Sequence, residues 1–125
     1  MNNSVHTAET IDAFRESFFS LISEASSIII TAHLSPDDDS IASVLSMYSI
    51  LNLRFPEKKI QIIYTGQKID RYNIFHNFDK IQFVNDVANY VTGVDALVIL
   101  DLNSLNRVSL APEVLREIKT RICID

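Results

Sequence analysis

Apolar residues fall along this chain in two alternating rhythms. From Thr10 to Ala25 the period is helical: Ile11, Phe14, Phe18, Leu21, Ile22 and Ala25 recur at steps of three and four, and Thr10 can cap the start. Ser27-Ile28-Ile29-Ile30-Thr31-Ala32 then reads as a β-branched run apolar on both faces, the pattern of a central parallel strand. After a polar loop from His33 to Asp39, Ile41, Val44, Leu45, Tyr48, Leu51 and Leu53 predict a second helix that stops before Pro56. Ile60 to Tyr64 predicts a second strand closed by Gly66, and a short helix is expected around Ile69 to Phe75. Ile81 to Val84 predicts a third strand, and Asp86 to Val91 a helical turn ended by Gly93. Ala96 to Leu100 predicts another buried strand. Pro112 suits the first position of a helix running to about Lys119, and Arg121 to Asp125 begins one more strand. Strands alternating with helices imply an α/β fold, an open and mostly parallel sheet with right-handed crossovers.

Composition narrows the classes. A chain of 125 residues that is 47% apolar can bury one small core and does not resemble a disordered segment. The net charge of −5 argues against a broad basic surface for nucleic acid, but a small anionic substrate held through metal ions stays compatible with it. The single cysteine, Cys123, cannot build an internal disulfide framework and is expected as a small buried hydrophobe in its strand. No segment reaches the roughly 20 apolar residues that span a bilayer, and Met1 to Glu9 carry no signal-peptide pattern, so a cytoplasmic location is expected. Only Gly66 and Gly93 occur, which rules out a glycine-rich phosphate loop and a dinucleotide fingerprint.

The chemistry concentrates in His33-Leu34-Ser35-Pro36-Asp37-Asp38-Asp39-Ser40, directly after the first strand and before a helix. Ligands of open parallel sheets bind at the carboxyl ends of strands. One imidazole and three carboxylates within seven residues repel unless something neutralises them, and divalent cations accept nitrogen and oxygen ligands together. His33, Asp37 and Asp39 therefore read as metal ligands. The competing reading has Asp38, Asp39 or Ser40 as helix caps, which accounts for one or two of the acids but not for His33. Asp101, which ends the strand Ala96 to Leu100, would face the same crevice, where a carboxylate can bridge two metals. His6 and His76 show no ligand spacing, Phe14, Phe18 and Phe19 read as packing residues, and Lys58-Lys59 as a solvated turn.

His33-x-x-Pro36-Asp37-x-Asp39 resembles the first motif of the DHH-superfamily phosphoesterases, usually H-x-x-P-D-G-D-A-x-G-S. Val98-Ile99-Leu100-Asp101, with Arg107 six residues on, resembles their second motif, and Ile122-Cys123-Ile124-Asp125 the strand leading into the Asp-His-His signature. The resemblance covers nearly the whole chain, and within the superfamily it is closest to the nanoRNase and RecJ-like group. It implies a Rossmann-like sheet with helices on both faces, incomplete at its carboxyl end: residues 1–125 would be one truncated amino-terminal domain, without the substrate-binding domain that follows. It implies two Mn²⁺ ions, with Mg²⁺ as the alternative: His33, Asp37 and Asp101 would serve one, Asp39 and Asp101 the other. Asp37, Asp39 and Asp101 would be the catalytic set, Asp125 would steer ligands without binding metal itself, and Arg107 would order its loop or approach phosphate. Substrates would be short oligonucleotides, cyclic dinucleotides or nucleoside phosphates, and the parent protein is compatible with a homodimer. The 125 residues alone are expected to turn over little. Asp38 stands where the family prefers Gly and would need a left-handed backbone, and Ala42, where a second Gly is common, would keep the helix close to the sheet. Alternatives are a pyrophosphatase of the same superfamily, a non-catalytic metal-binding module, and a phosphoacceptor receiver domain, which also places acids at strand ends.

Overall fold

A computed structural model of the protein describes residues 10–32, 37–100 and 110–124. Helix α1 (Ile11–Ser23) starts where Thr10 accepts a hydrogen bond from the Ala13 N–H at 3.0 Å. It leads into β1 (Ser27–Ala32), then α2 (Asp38–Arg54) and β2 (Lys59–Thr65). Short 3₁₀ turns at Asp70–Ile74 and Phe78–Lys80 precede β3 (Ile81–Val84). α3 (Ala88–Val91), β4 (Ala96–Leu100), α4 (Pro112–Glu117) and β5 (Thr120–Ile124) complete the order. The five strands form one sheet in the order β3-β2-β1-β4-β5, every pairing parallel. This is the α/β architecture expected from the sequence.

The two-sided apolar strands divide their side chains between two cores. Ile28, Ile30 and Ala32 of β1 join Ile62 and Tyr64 of β2 and Ala96, Val98 and Leu100 of β4 on the face covered by α1 and α2. Ile29, Ile63, Leu97 and Ile99 face the other way, under Val87, Val91, Leu110 and Ile118. A strand buried on both faces, with a period of two, requires this division.

Several expectations need correction. Along α1 exposure falls from Ile11 (84%) through Phe14 (40%) to Phe18 (6%) and Ile22 (0%). The helix meets the sheet with its carboxyl half only, so the predicted apolar face is buried only in part. Leu53 lies off the buried face of α2 and is exposed, and Ala42 is exposed too. The residues that set the approach of α2 to the sheet are Ser40, Ile41 and Val44, all fully buried. α4 ends at Glu117, short of Lys119, because Ile118 turns extended and enters the core. Cys123 is exposed, because β5, on which it pairs with Ile99, is the edge strand of the sheet. Lys58 is not a solvated turn residue, since its ammonium donates to the carbonyls of Ser23 (3.0 Å) and Ala25 (2.6 Å) and closes the carboxyl end of α1.

At the amino ends of the strands Asp95 ties three of them together. Its Oδ2 accepts the N–H groups of Ser26 (2.9 Å) and Ser27 (3.2 Å), its own N–H donates to Ser27 Oγ (3.0 Å), and its carbonyl accepts the Thr120 N–H (3.1 Å). The backbone N–H of Ser26, then that of Ser27, hold its carboxyl below the ordinary 3.8, with smaller help from Lys119 and Lys58. A depressed carboxyl stabilises the fold above its unfolded pKa and ceases to do so as pH falls through the folded value. Asp95→Ala is therefore expected to lower the denaturation midpoint at pH 7, with the gap to wild type closing below about pH 4. Urea titrations across that range check this, and a gap that does not vary with pH would contradict it. Ile30→Ala, in the fully buried centre of β1, is expected to cost about 2–5 kcal/mol in the same titration.

Candidate functional site

The strand order reverses direction between β1 and β4, which diverge to opposite halves of the sheet. In such sheets a crevice opens outside the carboxyl ends of the two strands. The register aligns that edge: Ala32 of β1 pairs with Leu100 of β4, and Leu100 with Ile124 of β5. The next residues in the chain are His33, Asp101 and Asp125. All three, together with Arg107, lie outside the described residues, so the structure fixes the strand ends that lead to them and not their side chains.

Asp37 and Asp39 are described, at the start of α2 beside the carboxyl end of β1. Asp37 is the N-cap, extended at φ −130° and ψ 179°. Its Oδ1 accepts the Ser40 N–H at 2.8 Å, and Ser40 Oγ accepts the Asp37 N–H at 3.0 Å, a reciprocal capping box. Capping thus falls to Asp37, the residue read as a ligand, and not to Asp38, Asp39 or Ser40. The cap fixes the Asp37 carboxylate at the positive end of the helix, where a negative charge is favoured.

Ser40 is fully buried and has its own support. Tyr64, also fully buried near the carboxyl end of β2, donates its hydroxyl to Ser40 Oγ at 2.5 Å, and Ser40 Oγ donates in turn to the Asp37 carbonyl at 3.2 Å. A chain of hydrogen bonds thus runs from the sheet through Ser40 to Asp37. Sequence reasoning missed Tyr64 altogether. The available signal was the Asp37-x-x-Ser40 spacing of a capping box, together with a polar aromatic in an otherwise apolar strand.

Asp38 behaves differently from its neighbours. It is the first residue of α2, and the only described non-glycine residue at positive φ is Asn77, so no left-handed backbone is needed at position 38. Its Oδ1 accepts from the Tyr72 hydroxyl at 2.7 Å and from Arg71 Nη2 at 3.1 Å, and Arg71 Nη2 also donates to the Tyr72 oxygen at 2.6 Å. The Tyr72 contact, and after it the charge of Asp38, raise the Arg71 pKa above its ordinary value. Asp39 is exposed and has no hydrogen-bond or ion-pair partner among the described residues. The three acids are therefore a cap, an anchor for Arg71 and Tyr72, and an exposed carboxylate. Among the described residues no group of three His, Cys, Asp or Glu side chains gathers at metal-binding distance.

The support of the cap can be measured. Asp37→Ala is expected to cost about 1 kcal/mol, whereas Asp37→Asn, which can still cap, is expected to stay within a few tenths of wild type. Tyr64→Phe removes a hydrogen bond from a buried pair and is expected to cost about 1 kcal/mol. Equal losses for Asp37→Ala and Asp37→Asn in denaturant unfolding would show that the cap contributes nothing.

No family model matches the sequence, and no curated protein matches it. Among solved structures the chain is similar to an exopolyphosphatase-related protein from Bacteroides fragilis, with a TM-score of 0.78 over 96% of this chain at 23% identity. The chain spans about 36% of that protein's length. At this level of identity the likeness is one of fold: the five-stranded parallel sheet described above, with helices on both faces, is the architecture that the two proteins share.

Proposed function

We propose that the protein is, or forms part of, a metal-dependent phosphoesterase whose site lies at the carboxyl ends of β1 and β4. The observation that carries this reading is the shared edge: β1, β4 and β5 end in register, and α2 begins beside them with Asp37 held in a fixed cap and Asp39 exposed, without a partner among the described residues. Two carboxylates presented at a helix start, on either side of the Asp38 that pairs with Arg71, form a donor set suited to hard cations such as Mn²⁺ or Mg²⁺. His33 and Asp101, next in sequence after Ala32 and Leu100, would complete the ligands of a two-metal pair, with Asp125 and Arg107 as supporting groups. When bound, such metals supply positive charge that polarises a phosphoryl group and lowers the pKa of water.

The chain's own residues have separate tasks in this scheme. Asp37 contributes a carboxylate whose direction is set by Ser40 and, through Ser40, by Tyr64. Asp39 contributes a second one turned to solvent. The fold likeness to an exopolyphosphatase-related protein adds support for phosphate chemistry, and short oligonucleotides or nucleoside phosphates are the substrates we favour, with inorganic pyrophosphate second. The receiver-domain reading loses its ground in the strand order. A receiver-type sheet runs 2-1-3-4-5, whereas here it runs 3-2-1-4-5.

The test is metal binding followed by turnover. Mn²⁺ titrated into the protein and followed by electron paramagnetic resonance is expected to bind, with Asp37→Asn and Asp39→Asn each weakening it at least tenfold while the fold stays intact. Where Mn²⁺-stimulated hydrolysis of a dinucleotide is measured, either substitution is expected to abolish it. Wild-type Mn²⁺ affinity in both variants would sink the assignment.

A further inference from the structure

A groove lies at the end of α2 far from Asp37 and Asp39, where the helix passes α1. Its volume is about 470 Å³, and Arg15, Glu16, Phe19 and Ser20 of α1 line it together with Arg54 and Phe55. α2 is 17 residues long, so its two ends are about 24 Å apart. The floor is apolar: the half-buried rings of Phe19 and Phe55 have their centroids 6.3 Å apart. Arg54 lies over this floor, its guanidinium carbon 4.8 Å from the Phe19 centroid and 5.9 Å from that of Phe55. Stacking holds a guanidinium without using its hydrogen-bond donors, and Arg54 has no carboxylate partner among the described residues. The other cation of the groove, Arg15, is answered by Asp12 at 2.6 Å. Glu16 also has no ion-pair partner among the described residues, although it lines the same groove as Arg54. One positive and one negative group thus border the same apolar floor without pairing with each other.

We infer that the groove binds a free α-amino acid with a large apolar side chain, its carboxylate on Arg54, its ammonium on Glu16 and its side chain against Phe19 and Phe55. Such a molecule carries the complementary set on a single carbon. A simple anion would meet Glu16 and a simple cation would meet Arg54, so each is opposed at one end where a zwitterion is attracted at both. Mostly apolar walls with a few polar groups that set orientation are the usual make-up of a small-ligand site, and the volume is of the usual size. The rings hold the Arg54 guanidinium in place beforehand, so little side-chain freedom is lost on binding. This site stands apart from the carboxyl ends of the strands and needs no metal.

Titration of L-phenylalanine into the ¹⁵N-labelled protein, without metal and followed by amide chemical shifts, tests the inference. Saturable shifts are expected at Glu16, Ser20, Arg54 and Phe55, and none at Asp39. 2-Phenylethylamine, which lacks the carboxylate, and 3-phenylpropionate, which lacks the ammonium, are each expected to bind roughly tenfold more weakly. Glycine, which lacks the side chain, is expected to cause no saturable shift. Arg54→Gln is expected to bring L-phenylalanine down to the affinity of 2-phenylethylamine, and Glu16→Gln down to that of 3-phenylpropionate. Both substitutions are at exposed positions, and unchanged amide spectra away from the groove check that the fold is intact. Absence of saturable shifts in wild type overturns the site. So does an L-phenylalanine affinity that neither substitution alters. Equal binding of 3-phenylpropionate and L-phenylalanine would make the ligand an aromatic anion and sink the amino-acid assignment. Because no metal is present, none of these outcomes depends on the phosphoesterase reading.

Discussion

β1 is hydrogen-bonded on both edges, to β2 and to β4, and buried on both faces, so everything else in the fold is arranged around its needs. A strand in that position cannot leave an N–H or C=O unpaired without a cost of a few kcal/mol, and it has no face to give to water. Both neighbours must therefore be present, and both layers of helices must cover them. The reversal of strand order also begins at this strand, because β2 and β4 leave it in opposite directions. The same strand that needs a two-layered cover thus also carries the switch in strand order, the place where open sheets of this kind bind ligands.

The elements that could be read from sequence are those whose local pattern is dictated by burial on both sides. β1 and β4 keep the bounds their β-branched and aliphatic runs suggest, and β3 does as well. Helix ends were readable where a cap is local, as at Thr10 and Pro112. What was not legible depends on partners distant in sequence. The hydrogen bond from Tyr64 to Ser40 spans 24 positions and that from Tyr72 to Asp38 spans 34. No periodicity records such pairs, because each forms only after two elements have docked. The exposure of Cys123 belongs to the same class, since an apolar strand sequence does not say whether it will lie at the centre or the edge.

The run of acids at positions 37–39 shows how one motif divides its labour. Seen along the chain these residues look equivalent. In three dimensions each faces a different neighbour: Asp37 the helix backbone, Asp38 the turn after β2, Asp39 the solvent. The helical twist of about 100° per residue separates side chains that sequence places side by side. Crowding is thereby reduced within the fold itself, with Arg71 answering one charge and the helix amides another.

Asp95 and Lys58 work at the opposite edge from these acids. Asp95 gathers the starts of β1, β4 and β5, and Lys58 locks the end of α1 beside them. The sheet is thus clasped at the rim away from Asp37 to Asp39. Loops at the other rim can therefore be lengthened, shortened or recharged without loosening the clasp, so that new chemistries can be tried there while the scaffold keeps its shape.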